Sequence, residues 1–149
     1  MNEDYHDILA ALVAQNARFL IVGAHALAAH GYPRSTVDID IWIDATDDNA
    51  ERVWKALADF GAPLADLSVE RQDLTRPDVV IQFGLPPNRI DVLTGLSGLS
   101  FDAAWVNRIE EVLEGVTVPV LGLADLIANK RATGRDKDRA DLKGVEGKA

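Results

Sequence analysis

Two carboxylates stand where a β-strand would ordinarily carry apolar side chains. In the run Val37 to Ile43, VDIDIWI, the residues Val37, Ile39, Ile41 and Ile43 alternate with Asp38, Asp40 and Trp42. Residues i and i+2 of a strand point the same way, with Cα atoms about 6–7 Å apart. Asp38 and Asp40 therefore share a face, near enough to hold one cation or two adjacent ones. Asp is depleted in strands, and like charges on one face repel, so a cation would relieve a cost that the sequence otherwise carries. Pairs of divalent ions about 3.5–4 Å apart, bridged by carboxylates, serve phosphoryl and nucleotidyl transfer. The plainer alternative is a half-buried strand whose polar face is simply solvated.

Other residues bear on that choice. Upstream, Arg18 to Val22 (RFLIV) reads as a short buried strand that runs into Gly23-Ala24 and an alanine-rich segment, His25 to His30, closed by Gly31. A strand, a small-residue turn and a helix start leave backbone N–H groups at a positive helix end, which suits phosphate oxygens. Gly23 would let the backbone approach a ligand closely. Downstream, RIDVLT sets Ile90, Val92 and Thr94 against Asp91 and Leu93, which makes Asp91 a third candidate carboxylate. Arg34 could offset a γ-phosphate with its fork of donors, or close a loop salt bridge. Trp42, on the carboxylate face, could stack on a base or complete the core. His25 and His30 lack a third ligand at metal spacing and read as packing or capping groups. The sequence has no Ser/His/Asp or Cys/His nucleophile set, Walker loop or Rossmann fingerprint.

Gly23-Ala24, then Arg34-Ser35-Thr36-Val37-Asp38-Ile39-Asp40, then Asp91 on a later strand together resemble the polymerase-β-type nucleotidyltransferases. Within that superfamily, HGYPRSTVDIDIWI and LADLIANKRATGRDKDRADL look most like the AbiEii-related enzymes, the toxin side of type IV toxin–antitoxin systems. The resemblance runs from about Phe19 to Leu142. It implies two Mg²⁺ ions, or Mn²⁺ in their place, held by Asp38, Asp40 and Asp91. It also implies a nucleoside triphosphate bound at Gly23, Ala24 and Arg34, and a cognate antitoxin as partner. One departure stands out: position 24 is Ala where many active members have Gly or Ser, so a side-chain hydroxyl to a phosphate is missing.

The elements that must position these residues read as mixed α and β. Asp4 to Ala17 is an amphipathic helix with Ile8, Leu9, Leu12 and Val13 inward, and Asp47 to Phe60 is a second, N-capped by Asp47 or Asp48 and stopped by Gly61. Residues 62–78 read as a short helix around Ala65 to Val69 followed by a loop. Val79 to Phe83 and Arg89 to Leu93 read as antiparallel strands, Ser100 to Trp105 as a helix, and Ile109 to Leu113 with Val116 to Leu121 as a strand pair about Glu114-Gly115. Leu123 to Thr133 and Asp136 to Val145 read as closing helices broken at Gly134. This alternation predicts an α+β (α/β) fold, a twisted mixed sheet flanked by helices, in a single nucleotidyltransferase domain over residues 1–149.

The closing helices carry a second anomaly. Leu123, Leu126, Ile127 and Lys130 fall at i, i+3, i+4 and i+7, so Lys130 continues an apolar stripe inward. Asp138, Asp141, Leu142 and Val145 do the same on the next helix. Snorkelling or an internal ion pair would explain this. The functional alternative, which the resemblance also implies, has Lys130 reaching the triphosphate with Asp138 or Asp141 holding it in place.

Composition narrows the class. A chain of 149 residues can bury a proper core as one domain. With no Cys, disulfides and thiolate metal sites are excluded and a cytoplasmic setting is expected. No apolar run approaches the ~18–20 residues of a membrane span, and the acidic start MNEDYHD is unlike a signal peptide. The net charge is −9, which discourages nonspecific nucleic-acid binding. From Lys130 onward, however, seven Lys/Arg face four Asp/Glu, a basic tail that could meet phosphates or form a salt-bridged helix.

The expected activity is a Mg²⁺-dependent nucleotidyltransferase that moves an NMP from a nucleoside triphosphate to a hydroxyl of RNA, tRNA foremost, or of a protein. Asp38, Asp40, Asp91 and Lys130 are the expected catalytic residues, and Gly23, Ala24, Arg34, Lys130 and Asp138 the expected nucleotide contacts. The rivals are a catalytically lapsed module that binds nucleotide or a partner, and a two-metal nuclease.

Overall fold

The computed structural model describes residues 2–32, 38–86 and 88–134. Arg34, Val37, Asp138, Asp141 and the expected helix from Asp136 to Val145 lie outside the described residues. Among the described residues are five α-helices and six strands in the order α1 (Glu3–Ala14), β1 (Phe19–Val22), α2 (Gly23–Ala29), β2 (Ile39–Ile43), α3 (Asp47–Phe60), a 3-10 turn (Arg71–Thr75), β3 (Val80–Phe83), β4 (Ile90–Leu93), α4 (Phe101–Val106), β5 (Ile109–Leu113), β6 (Val116–Val120) and α5 (Leu123–Thr133). The strands form one sheet in the order β3-β4-β2-β1-β6-β5. β4 and β6 run parallel to their inner neighbours β2 and β1, and the remaining pairs are antiparallel. This is the mixed α+β architecture that the sequence predicts.

Register sorts the sheet into two unlike faces. Ile39 and Ile41 on β2 pair with Ile90 and Val92 on β4, and Ile41 with Ile21 on β1. Ile81 and Phe83 on β3 join the same row. All of these side chains are buried. Phe60 of α3 packs on Phe83 at 6.0 Å between ring centroids, and α1 packs on α3, so this face is sealed by helices. The opposite face carries Asp40, Asp91 and Trp42. Trp42 is buried edge-on against Phe101 of α4 at 5.1 Å, which makes it a core residue.

Several ends differ from the sequence expectation for local reasons. α1 stops at Ala14, because Gln15 caps it and Asn16 turns to φ 54°. Its buried stripe is Tyr5, Ile8, Leu9 and Leu12, while Val13 is 44% exposed. β2 begins at Ile39, with Asp38 just outside the ladder. The N-cap of α3 is Thr46, whose hydroxyl accepts the Asn49 N–H, and Asp47 and Asp48 occupy the first turn, where the helix dipole favours them. Residues 64–68 form turns, and the helical piece of this region is the 3-10 segment Arg71–Thr75. The β5–β6 turn lies at Glu114-Gly115, both with positive φ, the backbone twist that suits a two-residue hairpin.

Asn49 ties the first helix turn of α3 to the sheet. Its buried amide accepts the Arg18 N–H at 2.7 Å and donates to the carbonyls of Arg18 at 2.9 Å and Asp44 at 2.8 Å. One side chain thereby satisfies three main-chain groups at the start of β1 and the end of β2. Asn49→Ala is predicted to strand these groups and to cost about 2–4 kcal/mol. Urea denaturation should show this loss, and a change below about 1 kcal/mol would mean that water replaces the amide.

Candidate active site

The two central parallel strands bring the sequence-predicted carboxylates together. Asp40 on β2 and Asp91 on β4 are direct register partners, and Asp40 is also the partner of Val22 on β1. Partners in a ladder point to the same face, so Asp91 and Asp40 lie side by side. Asp38, one step before β2, is joined to the group by Arg89. Its Oδ1 accepts the Arg89 backbone N–H at 2.9 Å, and its Oδ2 lies 3.7 Å from the Arg89 guanidinium. That guanidinium also grips Asp91 with two hydrogen bonds, Nε to Oδ1 at 2.7 Å and Nη2 to Oδ2 at 3.1 Å. Asp91 is buried, whereas Asp38 and Asp40 are half-buried. A forked, charge-assisted pair of this kind is the stronger sort of hydrogen bond.

Arg89 is the site residue that sequence reasoning missed. The signal was available: Arg89 and Asp91 are i and i+2, the spacing that pairs Asp38 with Asp40. The hydrogen bonds with Asp91 and then its charge hold the guanidinium more firmly protonated than usual; burial opposes this, and Asp38 and Asp40 add to it. Tyr5 of α1 is a second missed residue. Its hydroxyl donates to the Arg89 carbonyl at 3.2 Å. Burial pushes the phenol up to about 12, the Asp38 charge adds to this, an Ile39 backbone hydrogen bond opposes it, and Asp40 and Asp91 contribute further. Two groups from different elements thus feel all three carboxylates.

Gly23 has a conformational role as well as a place beside the site. Its φ is +68°, and a Cβ built on it would overlap Asp40 Oδ2 and lie 3.2 Å from Asp40 Cγ. Helix α2 starts at Gly23 itself, with Val22 as N-cap. The turn therefore lies directly against Asp40, with Ala24 next in the first turn. His25 meets Tyr5 edge-on at 5.7 Å, and His30 Nε2 lies 2.8 Å from the Leu121 carbonyl oxygen, the packing and capping roles expected of them. Lys130 is buried on α5, which packs on α2. Arg34 and Asp138 lie outside the described residues.

A family model described as "Nucleotidyltransferase of unknown function" (DUF6036) matches residues 6–146. The chain belongs to this family. A crystal structure of a Thermotoga maritima protein proposed to be a nucleotidyltransferase has a similar fold, with a TM-score of 0.58 at 14% identity over 97% of this chain and 91% of that one. No curated protein is matched by the chain.

Membership of a nucleotidyltransferase family raises the question of a divalent cation. Asp38, Asp40 and Asp91 offer only hard oxygen donors, the chemistry that suits Mg²⁺ or Mn²⁺. Among the described residues, no three His, Cys, Asp or Glu side chains close on one point as a metal site. The cation that meets Asp38 and Asp91 in this structure is the Arg89 guanidinium. The donor types suit a divalent ion, while the carboxylates as placed close on Arg89.

Gly23→Ala should cost about 1–3 kcal/mol in backbone strain, with a further loss from the overlap with Asp40. In an Asp40→Ala background only the backbone part should remain; strict additivity in a double-mutant cycle would rule out the close approach. For Tyr5, the folded value lies above the unfolded value of 10, so its contribution is complete below pH 10 and is lost as the pH rises toward 12. The melting temperature of wild type should therefore fall more steeply over that interval than that of Tyr5→Phe, and parallel curves would refute the assignment.

Proposed function

We propose that this chain is a divalent-metal-dependent nucleotidyltransferase that moves an NMP from a nucleoside triphosphate to a hydroxyl of RNA, tRNA foremost, or of a protein. The observation that carries this is the lateral pairing of Asp40 with Asp91, with Asp38 drawn to the same guanidinium and Gly23 pressed against Asp40. Two Mg²⁺ ions, or Mn²⁺, when bound to Asp38, Asp40 and Asp91 would neutralise the triphosphate and acidify the acceptor hydroxyl. The protein's own residues do the rest. Gly23, lacking a Cβ, leaves room for Asp40, and the amides at Gly23 and Ala24 face phosphate oxygens. Lys130 and Arg34 offset charge on the leaving pyrophosphate, with Asp138 holding Lys130. The resemblance to AbiEii-related enzymes supports a place in a toxin–antitoxin pair, with a cognate antitoxin as partner, in the cytoplasm. Among the described residues, no helix is long and apolar enough to cross a membrane.

A second reading, nucleotide binding without turnover, is favoured by one observation. Ala24 supplies no hydroxyl at the turn beside Asp40. A two-metal nuclease would use the same carboxylates but has no need of that turn or of triphosphate-directed cations.

The deciding experiment incubates the protein with α-labelled nucleoside triphosphates, Mg²⁺ or Mn²⁺, and total cell RNA and protein. The expected result is label transferred to one acceptor class by wild type and none by Asp40→Asn. The variant should melt at or slightly above the wild-type temperature, because one mutual repulsion is gone. Stabilisation by Mg-ATP or Mg-CTP without product would identify the lapsed binder, and cleaved RNA the nuclease. An Asp40→Asn protein that is unfolded would make the carboxylate structural and remove the metal reading.

A further inference from the structure

The three carboxylates are not held alike. Asp91 gives one oxygen to Arg89 Nε and the other to Arg89 Nη2, so its head is fully engaged by the guanidinium. Asp38 gives Oδ1 to the Arg89 backbone N–H and holds Oδ2 within ion-pair reach of the same guanidinium. Asp40 instead lies against Gly23, and acts on Arg89 through charge alone, after Asp91 and Asp38. A metal ion and a guanidinium cannot share the same carboxylate lone pairs at full strength, because each draws on the same negative charge.

We propose that Arg89 is a resident cation that competes with the divalent ion for Asp91 and Asp38, so that loading the site exchanges one cation for another. This rests on the metal-dependent reading above. Asp91 completes the site only when Arg89 lets go. The exchange is sterically feasible: the Arg89 side chain is 31% exposed, while that of Asp91 is 9% exposed. The guanidinium can swing toward solvent on its flexible stem with its main chain fixed, because the Arg89 N–H and carbonyl are bonded to Asp38, Ile39 and Tyr5. Its main-chain anchoring also means that a released guanidinium stays beside the site, placed to meet an anionic ligand brought by the metal.

The test measures Mn²⁺ binding directly, by titration calorimetry or by the free-ion electron paramagnetic resonance signal, without nucleotide and without any activity assay. Arg89→Gln is expected to tighten Mn²⁺ binding on the order of tenfold or more, the scale of a lost charge-assisted hydrogen bond. In an Asp91→Asn background the same change should gain less than about threefold, which separates competition for Asp91 from a general change of charge. Arg89→Lys keeps the charge but loses the fork, and should bind Mn²⁺ more tightly than wild type even if Arg89→Gln fails to fold. Wild type that binds Mn²⁺ while the folded Arg89 variants bind it no better would overturn the exchange and leave the metal reading standing. Failure of wild type and every variant to bind Mn²⁺ would overturn the metal reading, and the exchange with it.

Discussion

Mutual repulsion among three carboxylates is the constraint around which this end of the sheet is built. Register places Asp40 and Asp91 as neighbours on adjacent strands, and Asp38 reaches the same guanidinium. Like charges directly opposite in a ladder destabilise it, and burial of Asp91 raises that penalty. Among the described residues, the Arg89 guanidinium answers this charge at Asp91 with a forked pair of hydrogen bonds and at Asp38 with an ion pair. Breaking such a pair by removing one partner is far worse than the pair is good, so Arg89 and Asp91 are bound to one another's presence.

The topology explains why the cluster falls where it does. β1 and β2 are antiparallel neighbours, so the end of β1 meets the start of β2. β2 and β4 are parallel, so their first residues also lie level. The Gly23 turn, Asp40 and Asp91 therefore gather at one end of three central strands. The other face of those strands is wholly apolar and covered by α1 and α3, and its burial fixes the register. A slip of one residue would turn Ile39 and Ile41 out and Asp40 in. The apolar face thereby positions the carboxylates without touching them.

How much of this was legible in the sequence depends on the distance over which each interaction acts. The pairing of Asp38 with Asp40 and the inward stripe ending at Lys130 are expectations from local periods of 2 and 3.6; in the structure Asp38 lies just before β2 and reaches Arg89, and Lys130 is buried on α5. The bounds of α3, α5 and β5 match because Gly61, Gly134 and Glu114-Gly115 end them with backbone that few other residues adopt. The N-cap of α3 was misplaced, since Thr46, Asp47 and Asp48 are all chemically suitable and only geometry selects the hydroxyl. Tyr5 escaped notice because its role depends on Arg89, which is 84 residues away. The strand order was illegible for the same reason: both parallel pairings join segments that are distant in sequence.

Arg89 is hidden in the sequence for a more instructive reason. At the head of RIDVLT it reads as a loop residue before a strand, and an Arg in that position is usually solvated. Its importance comes from the row it joins. Once Asp91 is the lateral partner of Asp40, any cation two residues before Asp91 projects over the same carboxylates. A sheet that must fold before it meets a ligand needs such a group, because an acidic cluster left bare would destabilise the folded chain. Held too tightly, the same group would keep a ligand out. The partly exposed guanidinium, anchored through its main chain and bonded at its head to Asp91 and Asp38, meets the first demand while bound and would meet the second on release.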